Sequence, residues 1–239
     1  MRLIASLLFN VLFILHTAFI LVFFLPTLLG GWQGVFFAQK WWARGVSFFA
    51  RVLLGITYEV RGAEHIPEDS SLIACKHQSA WETCVPFLFL DGPCLVLKKE
   101  LTNLPFFGWY ARVNQSIPVD RNANAAALRN MIKAGRQAVS ENRPILIFPE
   151  GTRKAVGAEP DYQPGVAGLY KQLNLTATPV ALNSGCFWPR RSIIKNRGTI
   201  VIEFLPPIEA GLDRREFMAR LEEAIESKTA ELVEEAQNA

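Results

Sequence analysis

What this 239-residue sequence lacks first is charge at its start: no Asp, Glu, Lys or Arg lies between Arg2 and Lys40. That excludes an ordinary solvated N-terminal helix. Cysteine is scarce, and Cys75, Cys84, Cys94 and Cys186 form no C-x-x-C pair. With only three scattered histidines, this excludes a disulfide framework and argues against any metal site. Cys75, Cys84 and Cys94 lie in apolar runs and read as small buried hydrophobes in a reducing compartment. Net charge is only +3, so no nucleic-acid partner is implied. There is no repeat, low-complexity tract or second domain boundary.

What is present begins with an apolar run. From Leu3 to Leu29 the polar interruptions are Ser6, Asn10, His16, Thr17 and Thr27. The run is longer than the roughly 20 residues that span hydrocarbon, and no convincing small-residue cleavage site ends it. Residues 3–29 are therefore expected to form a retained apolar membrane helix. Beyond it, Lys40, Arg44, Ser47 and Arg51 recur at helical spacing among Phe36, Phe37, Trp41, Phe48, Phe49 and Val52. This predicts an amphipathic helix over 32–54, lying in the membrane interface. Residues 1–54 thus read as a two-helix membrane anchor and residues 55–239 as the main domain. The basic residues follow the apolar run, which places that domain on the cytoplasmic side.

After Ile56 the period changes. Strands are expected at 57–60, 72–76, 94–97, 116–119, 144–148, 178–182 and 199–204. Helices are expected from Glu82 through Phe89, from about Asn124 to Asn142, and from Gly165 to Leu173. Asp213 caps a last helix that buries Phe217, Leu221, Ile225 and Leu232. The alternation predicts an α/β fold, a mixed sheet flanked by helices.

At the end of the second strand stands Lys76-His77-Gln78-Ser79-Ala80-Trp81-Glu82. A histidine with a carboxylate beside it makes a general base: the imidazole takes a proton and the carboxylate steadies the resulting cation. Five positions on a continuous helix rotate about 140°, which would point His77 and Glu82 apart. They meet only if His77 is on a loop and Glu82 in the first turn of a helix. The same residues also read as a capping box, with Ser79 as N-cap and Glu82 reaching back to its N–H. Ser79 has no Gly-x-Ser-x-Gly elbow around it.

Three further clusters sit at strand ends: Lys98 to Leu101, Asp120-Arg121, and Glu150 to Arg153. Ligands of open α/β sheets bind at the carboxyl ends of strands. Cations from Lys98 (or Lys99), Arg121 and Arg153 converging beside a base suit an anionic substrate, and the guanidinium fork suits phosphate.

With these stretches in view the chain resembles the glycerolipid acyltransferase family, most closely its bacterial 1-acylglycerol-3-phosphate acyltransferases. The resemblance rests on Lys76 to Thr83, Leu97 to Leu101 with Pro105 to Gly108, Ile117 to Arg121, Phe148 to Arg153, and Thr178 to Gly185. It implies a glycerol-3-phosphate acyltransferase-like fold and transfer of a fatty acyl group from acyl-CoA or acyl carrier protein to the sn-2 hydroxyl of lysophosphatidic acid. The product would be phosphatidic acid. No cofactor is implied, and the setting would be the cytoplasmic face of the inner membrane. His77 falls on the family's general base and Glu82 on its acidic partner. Glu150, Gly151, Thr152 and Arg153 fall on the motif tied to acceptor binding, and Lys98 and Arg121 on phosphate contacts. One departure is that the commonest pattern has Asp where this chain has Glu82, one methylene longer. Two alternatives remain: another lysolipid acceptor, such as a lyso-ornithine lipid, or a catalytically silent lipid-binding homologue.

Overall fold

A computed structural model describes residues 1–120 and 124–238, and in it the apolar runs become one sheet. Its strands are β1 (Ile56–Arg61), β2 (Leu72–Cys75), β3 (Cys94–Lys98), β4 (Ile117–Val119), β5 (Ile145–Ile147), β6 (Ala177–Leu182) and β7 (Gly198–Phe204). The order is β1-β7-β6-β2-β5-β3-β4. All neighbours are parallel except β6 and β7, which pair antiparallel with Val180 opposite Phe204. The sheet is mixed, as the sequence predicts.

Period-two alternation sends the central strands into two cores. On β2, Ile73 and Cys75 join one core and Leu72 and Ala74 the other; on β5, Leu146 faces the first and Ile145 and Ile147 the second. A strand buried on both faces reads as a continuous apolar run, and this is how β2 and β5 were recognisable. The second core is closed by α5 (Asn124–Ser140), α6 (Gly165–Leu173) and α8 (Arg214–Asn238). Asp213 caps α8, its Oδ1 accepting the N–H groups of Arg215 at 2.8 Å and Glu216 at 3.0 Å. Phe217, Leu221, Ile225 and Leu232 are fully buried, as expected.

Three expectations about helices change. The helix predicted through Phe89 is only α3 (Trp81–Cys84), followed by a 3-10 turn at Pro86–Leu88. Proline has no N–H to continue the ladder and its ring clashes with the preceding turn. The apolar helix expected over 3–29 is α1 (Arg2–Phe23), and Pro26 lies in the 3-10 turn Leu25–Gly30 that follows. The helix expected over 32–54 is α2 (Gly31–Phe49), closed by a wider π turn, Ala50–Leu54, and by Gly55 at φ 66°. Among the described residues, α1 alone is long and apolar enough to cross a membrane; α2 is less apolar, with Gln33, Gln39, Lys40 and Arg44 along it.

The polar interruptions of α1 do not face outward. Ser6 Oγ accepts the Lys195 N–H at 3.1 Å, and Asn10 Oδ1 accepts Lys195 Nζ at 2.7 Å. His16 Nε2 lies 3.2 Å from the Trp42 carbonyl oxygen, and Thr17 Oγ1 accepts the Trp42 indole N–H at 2.9 Å. Phe9 packs edge-on against Trp188, ring centres 5.0 Å apart. The inward face of α1 is thus tied to α2 and to the segment before β7. Its outward face is apolar: Leu3, Leu7, Val11, Ile14, Leu15 and Phe19 are all exposed. Two short helices, α4 (Phe107–Val113) and α7 (Ser184–Phe187), complete the α-helices among the described residues.

Candidate active site

The site begins where β2 runs out. Lys76 makes the last bond to β6, its N–H donating to the Val180 carbonyl at 2.9 Å. The chain then leaves the sheet, and other segments hold it. The His77 N–H donates to Glu150 Oε2 at 2.9 Å, and the His77 carbonyl accepts the Lys154 N–H at 2.8 Å. Both main-chain groups of His77 are therefore fixed by the loop after β5.

His77 is on a loop and Glu82 is in the first turn of α3, the arrangement that the five-residue spacing requires. His77 Nδ1 lies 2.9 Å from Glu82 Oε1. The same oxygen accepts the N–H groups of Gln78 at 2.7 Å and Ser79 at 2.5 Å, and Glu82 Oε2 accepts the Ser184 hydroxyl at 2.8 Å. Glu82 is completely buried. The capping and base-partner readings are thus realised by one carboxylate. The expected cap differs in one detail. The N-cap position is Ala80, and the Ser79 hydroxyl accepts the Trp81 N–H at 3.1 Å. A single short turn places Trp81, and no later residue, within reach of the Ser79 hydroxyl.

The carboxylate assigns the tautomer. With an anionic acceptor at Nδ1, the proton of the neutral ring sits there and Nε2 carries the lone pair. Nε2 makes no hydrogen bond among the described residues. The ring stacks on Phe148 with centres 4.1 Å apart and borders a cavity of about 1330 Å³. That cavity has apolar walls from Ile20, Leu21, Trp42, Leu104 and Phe107, and a polar border that includes Lys98, Thr152 and Arg153.

The structure separates the other expected site residues. Arg153 is half-buried, lines the cavity and has no hydrogen bond or ion pair among the described residues. Gly151 makes the turn after β5 at φ 62°, with its N–H on the Phe148 carbonyl, and Thr152 is exposed. Lys98 is exposed at the cavity border and pairs with Glu100 at 3.1 Å; Lys99 pairs with Asp120 at 3.1 Å. Arg121 lies outside the described residues. Glu150 also lines the cavity, but its carboxylate is engaged within the protein. It is turned inward and buried, with Oε1 on Lys76 Nζ at 2.9 Å and Oε2 on the His77 N–H. Burial pushes its carboxyl above the usual range, while Lys76 and the His77 N–H pull it back.

Lys76, Glu226, Ser184 and Gln78 were missed. Lys76 Nζ lies 2.7 and 2.8 Å from the two oxygens of Glu226, on which the Tyr162 hydroxyl also donates at 2.8 Å. Gln78 Oε1 accepts the Gly185 N–H at 3.1 Å, joining this loop to α7. Ser184 lies in a motif stretch, but nothing local to it announced Glu82 as its partner. Burial raises the thiols of Cys75 (well above the ordinary value), Cys84 (to about 12) and Cys94 (to about 11). All three are therefore neutral and poor nucleophiles near pH 7.

Comparison with known proteins adds three findings. A family model described as Acyltransferase matches residues 57–183. A 1-acyl-sn-glycerol-3-phosphate acyltransferase of Pseudomonas aeruginosa is 36% identical over 199 residues, 83% of this chain and 77% of that protein. One from Limnanthes alba is 31% identical over 158 residues, 65% of this chain and 56% of that protein. In fold, the chain is similar to the crystal structure of the 1-acyl-sn-glycerophosphate (LPA) acyltransferase of Thermotoga maritima. That match has TM-score 0.79 and 20% identity, covering 97% of this chain and 98% of the other.

Proposed function

The chain belongs to the acyltransferase family, and from that premise we propose that it acylates the sn-2 hydroxyl of 1-acylglycerol-3-phosphate from a thioester donor, giving phosphatidic acid. The donor is acyl-CoA or acyl carrier protein. The observation that carries this reading is the buried Glu82–His77 pair, which leaves Nε2 unpartnered on a ring lining a large, mostly apolar cavity beside Arg153.

His77 Nε2 takes the proton of the acceptor hydroxyl as its oxygen attacks the thioester carbonyl. Glu82 stays ionised and steadies the imidazolium. The tetrahedral intermediate collapses, the C–S bond breaks, and the proton on Nε2 passes to the leaving thiolate. The N–H groups of His77, Gln78 and Ser79 all go to carboxylates, so this loop holds the base and does not supply the oxyanion site. Arg153, Thr152 and Gly151, with Lys98 and Arg121, are assigned to the acceptor headgroup. Purified protein given both donors in turn, with lysophosphatidic acid, a lyso-ornithine lipid and a lysophosphatidylcholine, is expected to form phosphatidic acid fastest. Transfer confined to an acceptor without a terminal phosphate monoester would overturn the acceptor assignment.

Arg153→Ala separates the headgroup from the donor. A hydrogen bond to a charged group contributes about 1.5–3 kcal/mol, so KM for lysophosphatidic acid should rise roughly tenfold to a hundredfold. KM for the donor should change little. Equal increases for both substrates would assign Arg153 elsewhere.

Residues 1–54 are proposed to hold the active site at the cytoplasmic lipid surface. The exposed apolar face of α1 continues on α2 with Phe37, Trp41 and Phe48, and on the π turn after it with Val52, beside the exposed cations Arg44 and Arg51. Lys40 sits 4.4 Å over the Phe36 ring. An apolar surface this extensive marks an interaction site, and cations at its margin suit anionic headgroups. Each basic residue near such a surface contributes about 1 kcal/mol. Replacing Lys40, Arg44 and Arg51 together by Gln should therefore weaken binding to anionic vesicles by up to roughly a hundredfold at low salt. Binding to neutral vesicles should be unchanged. Unaltered affinity and salt dependence on anionic vesicles would make these residues a packed face of the protein.

A further inference from the structure

We propose that Glu226, on α8 and outside the matched family region, is a positioning residue for His77: it holds Lys76 against Glu150, and Glu150 holds the His77 main chain. The proposal rests on His77 being the base.

The contacts form one continuous chain. The Tyr162 hydroxyl donates to Glu226, Lys76 Nζ bridges Glu226 and Glu150, and Glu150 accepts the His77 N–H. The Lys76 and Glu150 side chains are 3% and 0% exposed, whereas Glu226 is 26% exposed. An ammonium in such a place persists only when it is paired and its donors are used. Glu150 takes one donor, and Glu226 offers both oxygens to the rest. One cation thus serves two carboxylates, and the carboxylate farther from His77 belongs to α8, which makes no direct contact with His77 among the described residues.

His77 needs this support because its main chain is held by two bonds, one of them to Glu150. Movement at that point is carried to Nε2, and a misplacement of about 1 Å costs on the order of 10²-fold in rate. The groups around Glu150 are Cys75 from the end of β2, Lys76 just after it, Tyr162 from the loop before α6, and Glu226 and, through Tyr162, Glu222 from α8. Lys76 is the one cation among them. Without it, only the His77 N–H opposes the effect of burial on Glu150, and its carboxyl is protonated at a higher pH. Protonation removes the anion that holds the His77 N–H, so activity should then be lost as pH falls and return as pH rises.

The test uses the full chain with Glu226→Gln, Lys76→Met and the double variant, reading kcat and KM across pH. It also reads the His77 ring nitrogen resonances without substrate. Glu226→Gln should lower kcat by roughly tenfold to a hundredfold, with both KM values unchanged and the His77 resonances shifted. Lys76→Met should show a new loss of activity on the acid side. Adding Glu226→Gln to it removes one of two facing carboxylates, so that limb should move back to lower pH, and the double variant should exceed Lys76→Met near neutrality. A triad serving stability alone would lower Tm and leave these profiles in place. Parental kcat and resonances in Glu226→Gln would overturn the proposal, even if Lys76→Met did not fold. So would a double variant with the same acid limb as Lys76→Met. The resonances are read without turnover. A failure of the acyl-transfer assignment therefore appears in the assay alone, and a failure of this proposal in the resonances.

Discussion

Replacing His77 by alanine is expected to abolish nearly all acyl transfer while leaving the fold intact. Loss of a general base costs roughly 10²–10⁴-fold in kcat. The main-chain bonds of His77 to Glu150 and Lys154 do not involve the imidazole and survive the change. The ring itself borders a cavity, so its removal enlarges existing space and leaves no sealed void. Three of the four donors to Glu82 also remain. Initial rates under saturating substrates, with circular dichroism and Tm as the control, check this. A folded variant keeping half the parental rate would remove His77 from the chemistry.

Glu82→Gln is expected to be nearly as damaging, roughly 10²–10⁴-fold in kcat, and again without unfolding. The amide keeps the shape of the carboxylate. Its oxygen can take the place of Oε1 and accept from His77, Gln78 and Ser79. Its NH₂ then meets the Ser184 hydroxyl, which can turn to accept. Only the negative charge is lost, and with it the stabilisation of the imidazolium. Glu82→Ala is different, because it leaves the buried N–H groups of Gln78 and Ser79 without acceptors at about 1–3 kcal/mol each. That variant should lose stability as well as activity. Glu82→Asp, the residue of the commoner pattern in the family this chain resembles, should keep part of the rate. If Glu82→Gln turned over almost as fast as the parent, Glu82 would be only the cap of α3.

Much of this was legible in the sequence because it is written locally. Apolar runs bounded by turn residues located every strand. The five-residue spacing from His77 to Glu82 demanded a loop followed by a helical turn, and the capping pattern supplied the turn. The charge-free start located α1, and the recurrence of Phe217, Leu221, Ile225 and Leu232 marked the buried side of α8. Where a local rule was passed over the reading failed: Pro86 ended α3, and the apolar run closed in a turn containing Pro26.

By itself the sequence determined where most strands and helices lie, which faces are apolar, and that one histidine on a loop meets one carboxylate in the helical turn that follows. Each follows from a period or a spacing within a few residues, where covalent geometry restricts what can happen. Only the tertiary structure decided that β2 lies between β5 and β6, that Ser184 completes the shell of Glu82, and that Glu150 turns inward. The same holds for Lys76 meeting Glu226, and for the polar residues of α1 facing the protein. A lysine at a strand end or a glutamate on a helix face has the same local pattern whether it meets water or a buried counter-charge. Burial and pairing across the sheet depend on strand order and helix packing, and these are settled by contacts between residues far apart in the chain.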